Sequence, residues 1–263
     1  MELAGKIALV TGAGRGIGKA IAIGFARAGA DIVAVSRTLP EIQETVRTVN
    51  VAGRRALAIR ADVSRLEDVE GIAQQVRSHF GRLDILVNNA ALRMNYLGTK
   101  DRYYIPFVNL TVDDWDSTIK VNLRGPFLCI RELLPLIRID GGGSIINISA
   151  GAGKRGMAGR VPYCASKFGL EGLTQSLALE FQAFNIAVNS LSPGKYSILT
   201  DQAKREQLGL SPATLFMKPE MMVPPAIFLA LQDGRGITGQ HIEALDWVTQ
   251  NGHGGIEEWK AKV

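Results

Sequence analysis

The 263-residue chain is expected to form a doubly wound α/β fold, a mainly parallel sheet with helices on both faces. Two observations predict it. Short apolar, β-branched runs alternate with longer helical patterns from one end to the other, the order that parallel sheets produce. The strand-like runs are also apolar at consecutive positions, as strands covered on both faces require. The candidate strands are Ile7–Val10, Asp31–Val35, Ala56–Ile59, Ile85–Val87, Ser144–Ile148, Ile186–Leu191 and a last one near His241–Leu245. Right-handed crossovers would bring their C-terminal ends to one edge, where ligands bind in such folds. No repeat interrupts the pattern, so residues 1–263 are expected to be one domain.

Composition narrows the function class. The chain is 46% hydrophobic and 21% charged, as ordinary globular proteins are, and no apolar stretch approaches the roughly 20 residues that cross a bilayer. The run Lys6–Thr11 begins almost at once, leaving no room for a signal peptide. A cytoplasmic protein without a membrane partner is expected. A net charge of +5 raises nucleic acid as a partner, but the basic residues are dispersed, with short clusters only at Arg54-Arg55 and Lys154-Arg155. No nucleic acid is expected, although the balance suits a phosphorylated cofactor. Cys129 and Cys164 lack the spacing of a metal or redox pair. Cys164 adjoins Tyr163, yet no histidine is near it in sequence and buried free cysteines are common. His79, His241 and His253 are scattered, so no metal is expected.

Two helices bear on chemistry. One opens at Thr111-Val112-Asp113-Asp114, a capping-box variant, and runs through Trp115 and Asn122 to an expected kink at Pro126. The other starts near Pro162 and reaches about Phe184. The irregular segment Ala91–Leu110 is a candidate loop at the active edge.

After the first strand comes Thr11-Gly12-Ala13-Gly14-Arg15-Gly16-Ile17-Gly18, leading into the helical pattern Lys19–Ala28. Glycines let a backbone turn sharply toward a pyrophosphate, and the new helix offers unpaired N–H groups. The G-x-G-x-x-G spacing fails, because Ile17 stands where its third glycine belongs. Gly12, Gly16 and Gly18 fit a G-x-x-x-G-x-G spacing, and their place between first strand and first helix points to a dinucleotide. The second strand ends Val35-Ser36-Arg37-Thr38, without the carboxylate that accepts NAD ribose hydroxyls. Arg37 is a planar cation suited to a 2′-phosphate, with Arg15 able to approach the same group; the alternative is a solvated Arg37. NADP(H) is the expected cofactor.

Tyr163-Cys164-Ala165-Ser166-Lys167 puts a phenol and an ammonium one helical turn apart. Bringing a tyrosine from about 10 to about 7 requires roughly 4 kcal/mol. A unit cation ~4 Å away at an effective dielectric near 20 supplies roughly that much, while desolvation opposes it. The spacing alone is common by chance.

Taken in order, these motifs resemble the short-chain dehydrogenase/reductase family along nearly the whole chain. The resemblance rests on Thr11–Gly18, Asp62-Val63, Asn88-Asn89-Ala90, Asn122, Ser149, Tyr163 with Lys167, and Pro193-Gly194. It implies a Rossmann-like, seven-stranded fold and hydride transfer between NADP(H) and a small carbonyl or secondary alcohol. It makes Tyr163 the general acid or base, and Ser149 a hydrogen-bonding partner of the reacting oxygen. Lys167 would lower the tyrosine pKa and bind the nicotinamide ribose; Asn122 would hold a water linking Lys167 to solvent. Asp62 would bond the adenine, with Val63, Asn89, Ala90, Ser36, Pro193 and Gly194 along the cofactor groove. Asn122 as a tie between helix and sheet, and Ser149 as a turn cap, remain alternatives. A homodimer or homotetramer is implied, with helices near Asn122 and Tyr163 at the contacts.

The chain departs from the family pattern in places. Ala91 replaces a glycine after Asn-Asn-Ala, and Ile198 stands where a threonine contacts the cofactor, with Ser197 or Thr200 as substitutes. Lys195–Lys218 is the expected substrate lid. Pro224-Pro225 suggests a helix beginning at Pro224. Leu245-Asp246-Trp247 replaces the usual Asp-Gly-Gly, leaving the tail Val248–Val263 unassigned. A sugar-nucleotide epimerase shares Tyr-x-x-x-Lys but carries a further C-terminal substrate domain. A non-catalytic NADP-binding sensor is the alternative from another class; it has no need of an intact Ser, Tyr and Lys set.

Overall fold

A computed structural model describes residues 1–92, 105–137, 141–198 and 215–261. Among them, seven strands form one parallel sheet in the order β3-β2-β1-β4-β5-β6-β9. These are β1 (Ile7–Thr11), β2 (Asp31–Ser36), β3 (Ala56–Arg60), β4 (Ile85–Asn88), β5 (Gly143–Ile148), β6 (Ile186–Ser192) and β9 (His241–Glu243). The chain builds outward from β1 to β3, then returns to place β4 beside β1. That reversal opens a crevice at the carboxyl ends of β1 and β4.

Alternate residues of each strand enter two cores. Ala8, Val10, Ile32, Ala34, Ile85 and Val87 pack against α1 (Gly16–Arg27) and α2 (Leu39–Val51), with α7 (Val223–Ala230) and α8 (Ala244–Gln250) on the same face. Ile7, Leu9, Val33, Val35 and Leu86 pack against α3 (Leu66–Phe80), α5 (Gly125–Ile137) and α6 (Val161–Phe181). A period of two with both phases apolar is what a sheet covered on both faces needs.

Three local expectations are corrected. The last strand ends at Glu243, because Ala244 and Leu245 open α8 and bury themselves in the first core. The long helix is not simply kinked at Pro126. After α4 (Val112–Ile119), capped by reciprocal Thr111 and Asp114 bonds, it widens into a π turn, Lys120–Arg124, before α5. The Gly125 N–H reaches back to the Lys120 carbonyl, and Pro126 has no N–H to offer Asn122. The helix expected at Pro224 starts at Val223, so both prolines fall in its first turn, where no intrahelical N–H is lost.

The tail is tied down. Strands β7 (Ser197–Ile198) and β8 (Phe216–Met217) pair in parallel, and Met217 forms an antiparallel bridge with Lys260. The Lys218 N–H donates to Trp259 O, and the Ala261 N–H to Phe216 O, both at 2.8 Å. Trp247 lies 5.4 Å from the Phe228 ring and stacks on His253 at 5.3 Å. Ile198 is buried in the first core with Met217 and Met221. Its apolar character thus has a packing reason. Thr200, with the rest of the expected lid at 199–214, and positions 93–104 of the expected loop lie outside the described residues.

Candidate active site

The glycine turn is built by two left-handed residues, Gly12 (φ +66°) and Gly16 (φ +54°). Gly18 is helical but equally constrained: a Cβ there would lie 2.3 Å from Gly12 O and 2.4 Å from Asn89 Nδ2. Asn89 Nδ2 donates to Thr11 O at 2.8 Å, and Thr11 Oγ1 accepts the Asn89 and Ala90 N–H groups. The ends of β1 and β4 are thereby locked around the crevice. No side chain caps α1 and its first turn holds no acid, which suits an anion at its N-terminus.

One groove runs along this edge. Of the residues singled out in the sequence, Gly12, Arg15, Gly16, Ile17, Ser36, Arg37, Asp62, Val63, Asn89, Ala90, Ser149, Tyr163, Lys167 and Pro193 line it. Gly18 does not; it lies under Gly12. Gly194 also stands outside, in a left-handed turn whose N–H meets Ser192 Oγ at 3.3 Å. Nor does Asn122 reach the groove. From the π turn its Oδ1 accepts the Leu92 N–H at 2.7 Å, while Nδ2 donates to Leu92 O and to Ser166 Oγ.

At the β2 end, Arg37 is largely exposed, with Nη1 3.8 Å from Asp62 Oδ2. Asp62 is fixed from below, its Oδ1 accepting from the Ser64 N–H and hydroxyl. Glu41, in the first turn of α2, shares this wall with Arg37 and lies against Gly14, where a Cβ would sit 2.7 Å from Glu41 Cβ. No phosphate motif points to Glu41, and sequence reading missed it. Val35 and Ala61 were missed too, although each directly precedes a residue that was singled out.

At the other end, α6 presents Tyr163 and Lys167. Lys167 is buried; its Nζ donates to Ile148 O at 2.7 Å and lies 5.9 Å from the Tyr163 ring centre. Ser149 follows β5 directly. Its Oγ is buried and makes no hydrogen bond among the described residues, an unusual state for a polar atom and one that suits an absent reacting group. Cys129 is no rival nucleophile, since burial pushes its thiol up to about 12; Cys164 is buried on α6.

The family profile described as short chain dehydrogenase matches residues 6–209. The chain belongs to the short-chain dehydrogenase/reductase family. The enzyme is 38% identical over 252 residues to the short chain dehydrogenase/reductase astE of Aspergillus oryzae, covering 92% of this chain and 94% of that one. Two solved structures match it closely in fold. A metagenomic short-chain oxidoreductase in complex with NADP has a TM-score of 0.77 at 31% identity, covering 92% and 97% of the two chains. Carveol dehydrogenase from Mycobacterium avium in complex with NAD has a TM-score of 0.82 at 25% identity, covering 92% and 96%. This short-chain dehydrogenase/reductase is therefore an oxidoreductase with the family's seven-stranded Rossmann-like sheet, and its family binds a nicotinamide cofactor. The turn fits such a group: α1 opens uncapped with no acid in its first turn, and Cβ atoms at Gly12 or Gly18 would collide with the Asn89 and Gly12 atoms that hold the turn in shape. Among the described residues no helix is long and apolar enough to cross a membrane.

Proposed function

We propose that the chain transfers hydride between NADP(H) and a small carbonyl or secondary alcohol, with Tyr163 as general acid or base. The supporting observation is that Ser149, Tyr163 and Lys167 line the same groove as the glycine turn. A bound nicotinamide supplies or accepts the hydride. Tyr163 gives its phenolic proton to the carbonyl oxygen in reduction and takes it back in oxidation. Lys167 is held in place by Ile148 O, and its positive charge favours the phenolate. Ser149 donates its unclaimed hydroxyl proton to the reacting oxygen. Asn122 acts as a positioning residue, since its amide is engaged with Leu92 and Ser166.

NADP is favoured over NAD by Arg37, an exposed guanidinium on the groove wall beside the β2 end. Charge-assisted bonds to a 2′-phosphate would come from it and from the turn residue Arg15. Glu41 on the same wall opposes that charge, so the preference rests on the arginines. Titration of the protein with NADPH and NADH tests this. NADPH should bind more tightly, and Arg37→Ala should weaken NADPH by on the order of 10-fold or more while leaving NADH within about twofold. Equal or tighter NADH binding by the unsubstituted protein overturns the assignment.

An apolar helical face supports reading the chain as a homodimer or homotetramer. Ile119, Leu123, Phe127, Gly169 and Leu173 line an apolar groove between α4, α5 and α6, and Phe127, Phe168 and Leu179 are exposed on the same helices. A second copy is the occupant that such helices, lying near Asn122 and Tyr163, are read to receive.

A further inference from the structure

Next to Ser149 lies a buried polar cluster that the proposed reaction does not use, and none of its other members lines the groove. Glu171 of α6 meets His241 of β9, with Oε1 and Nδ1 2.9 Å apart. Ser190 Oγ of β6 donates to Glu171 Oε2 at 2.7 Å and lies 3.0 Å from His241 Nδ1. The far nitrogen of the ring, Nε2, is 2.9 Å from Ser192 Oγ, which accepts the Gly194 N–H. A carboxylate only accepts, so Nδ1 must carry a proton toward Glu171. Burial raises the Glu171 pKa, but hydrogen bonding, with His241 the largest lowering contribution, outweighs it and holds the carboxyl below its ordinary range.

Ser149 connects this cluster to the reaction. Its hydroxyl and the Glu171 side chain both flank Gly153, yet Ser149 Oγ has no hydrogen-bond partner among the described residues. The close approach depends on Gly153: a Cβ there would lie 3.0 Å from Ser149 Oγ and 3.2 Å from Glu171 Cγ. A serine hydroxyl has one proton to give. A bare buried carboxylate beside it would compete with the reacting oxygen for that proton, because hydrogen bonds to charged acceptors are the stronger ones. Here each Glu171 oxygen already receives a donor, one from His241 and one from Ser190.

We infer that His241 is a positioning residue for Ser149: by occupying the Glu171 carboxylate it leaves the Ser149 proton for the reacting oxygen. Through Ser192 the same ring also steadies the Pro193-Gly194 turn. This rests on the reading of Ser149 as the hydroxyl that meets substrate.

The test is a double-mutant cycle on the intact enzyme with its best carbonyl substrate. His241→Leu, His241→Asn and Ser190→Ala are made in the wild-type and Ser149→Ala backgrounds. Turnover, substrate KM and NADPH binding are measured for each. His241→Leu should lower kcat on the order of 10-fold and leave NADPH binding within about twofold. His241→Asn, which keeps a donor near the Nδ1 position, should recover most of that loss. Ser190→Ala, which removes the other donor, should lower kcat in the same direction and serves where His241→Leu does not fold. In the Ser149→Ala background neither donor loss should lower kcat more than about twofold further, since coupled residues are not additive. Equal losses in both backgrounds, or no recovery with Asn, overturn the inference. If Ser149→Ala itself leaves turnover unchanged, the reading of Ser149 fails first.

Discussion

Gly18 stands in the first turn of α1, where glycine ordinarily weakens a helix by roughly 0.5–1 kcal/mol relative to alanine. Here alanine is excluded by position: its Cβ would meet backbone at Gly12 and the Asn89 amide that locks β1 to β4. Gly18→Ala should therefore weaken both NADPH binding and the fold, and isothermal titration with thermal unfolding checks it. A variant with wild-type affinity and an unchanged Tm would show that the turn relaxes freely. Sequence reading reached this residue through the spacing of Gly12, Gly16 and Gly18. It did not reach Glu41, His241 or Glu171. Their partners come from other elements and distant positions, 70 residues apart for His241 and Glu171, and no local spacing encodes such a contact. Likewise Asn122 was legible as a member of an ordered set, but its bonds to Leu92 follow from the π turn that carries it.

Element by element, the strands were the most readable part, because runs apolar on both faces leave few alternatives for a parallel sheet. The errors fell where the chain leaves the sheet. Leu245 continued an apolar run yet belongs to α8, since helix and strand cannot be told apart over a few apolar residues. The tail resisted reading: its anchoring bonds are backbone ones, the Ala261 N–H to Phe216 O of β8 and the Lys218 N–H to Trp259 O, which side-chain patterns do not show. These bonds make a structural prediction. Removing residues 256–263 unties β8 from its antiparallel neighbour and uncovers Met217. The expected result is faster hydrogen exchange at the Lys218 amide, which donates to Trp259 O, and a raised substrate KM, with NADPH affinity within about twofold, since exchange follows local opening. Unchanged exchange and KM would mean that the tail merely lies on the surface.

At the scale of the whole molecule, the fold and the reaction share one design. Strand order reverses between β1 and β4, and the cofactor turn, Asp62 and Ser149 all follow the carboxyl ends of strands along that edge. The apolar groove among α4, α5 and α6 is lined on α6 by Gly169 and Leu173 rather than by Tyr163 and Lys167. If that face receives a second copy, Phe127→Glu with Phe168→Glu should convert the oligomer to monomer in sedimentation velocity, because buried unpaired charges oppose association strongly. A wild-type protein that sediments as a monomer at micromolar concentration would remove the proposal.

In the proposed reaction Tyr163 moves a proton while the cofactor moves hydride. Its most direct measurement is NADPH absorbance during turnover on a panel of ketones, aldehydes and alcohols, for the wild type and for Tyr163→Phe. Wild type should oxidise NADPH with at least one carbonyl. Tyr163→Phe should lose about 100-fold or more, in line with removal of a general acid, while NADPH still binds. Substantial turnover by Tyr163→Phe would contradict this mechanism, as would tight NADPH binding by the wild type with no hydride transfer to any compound.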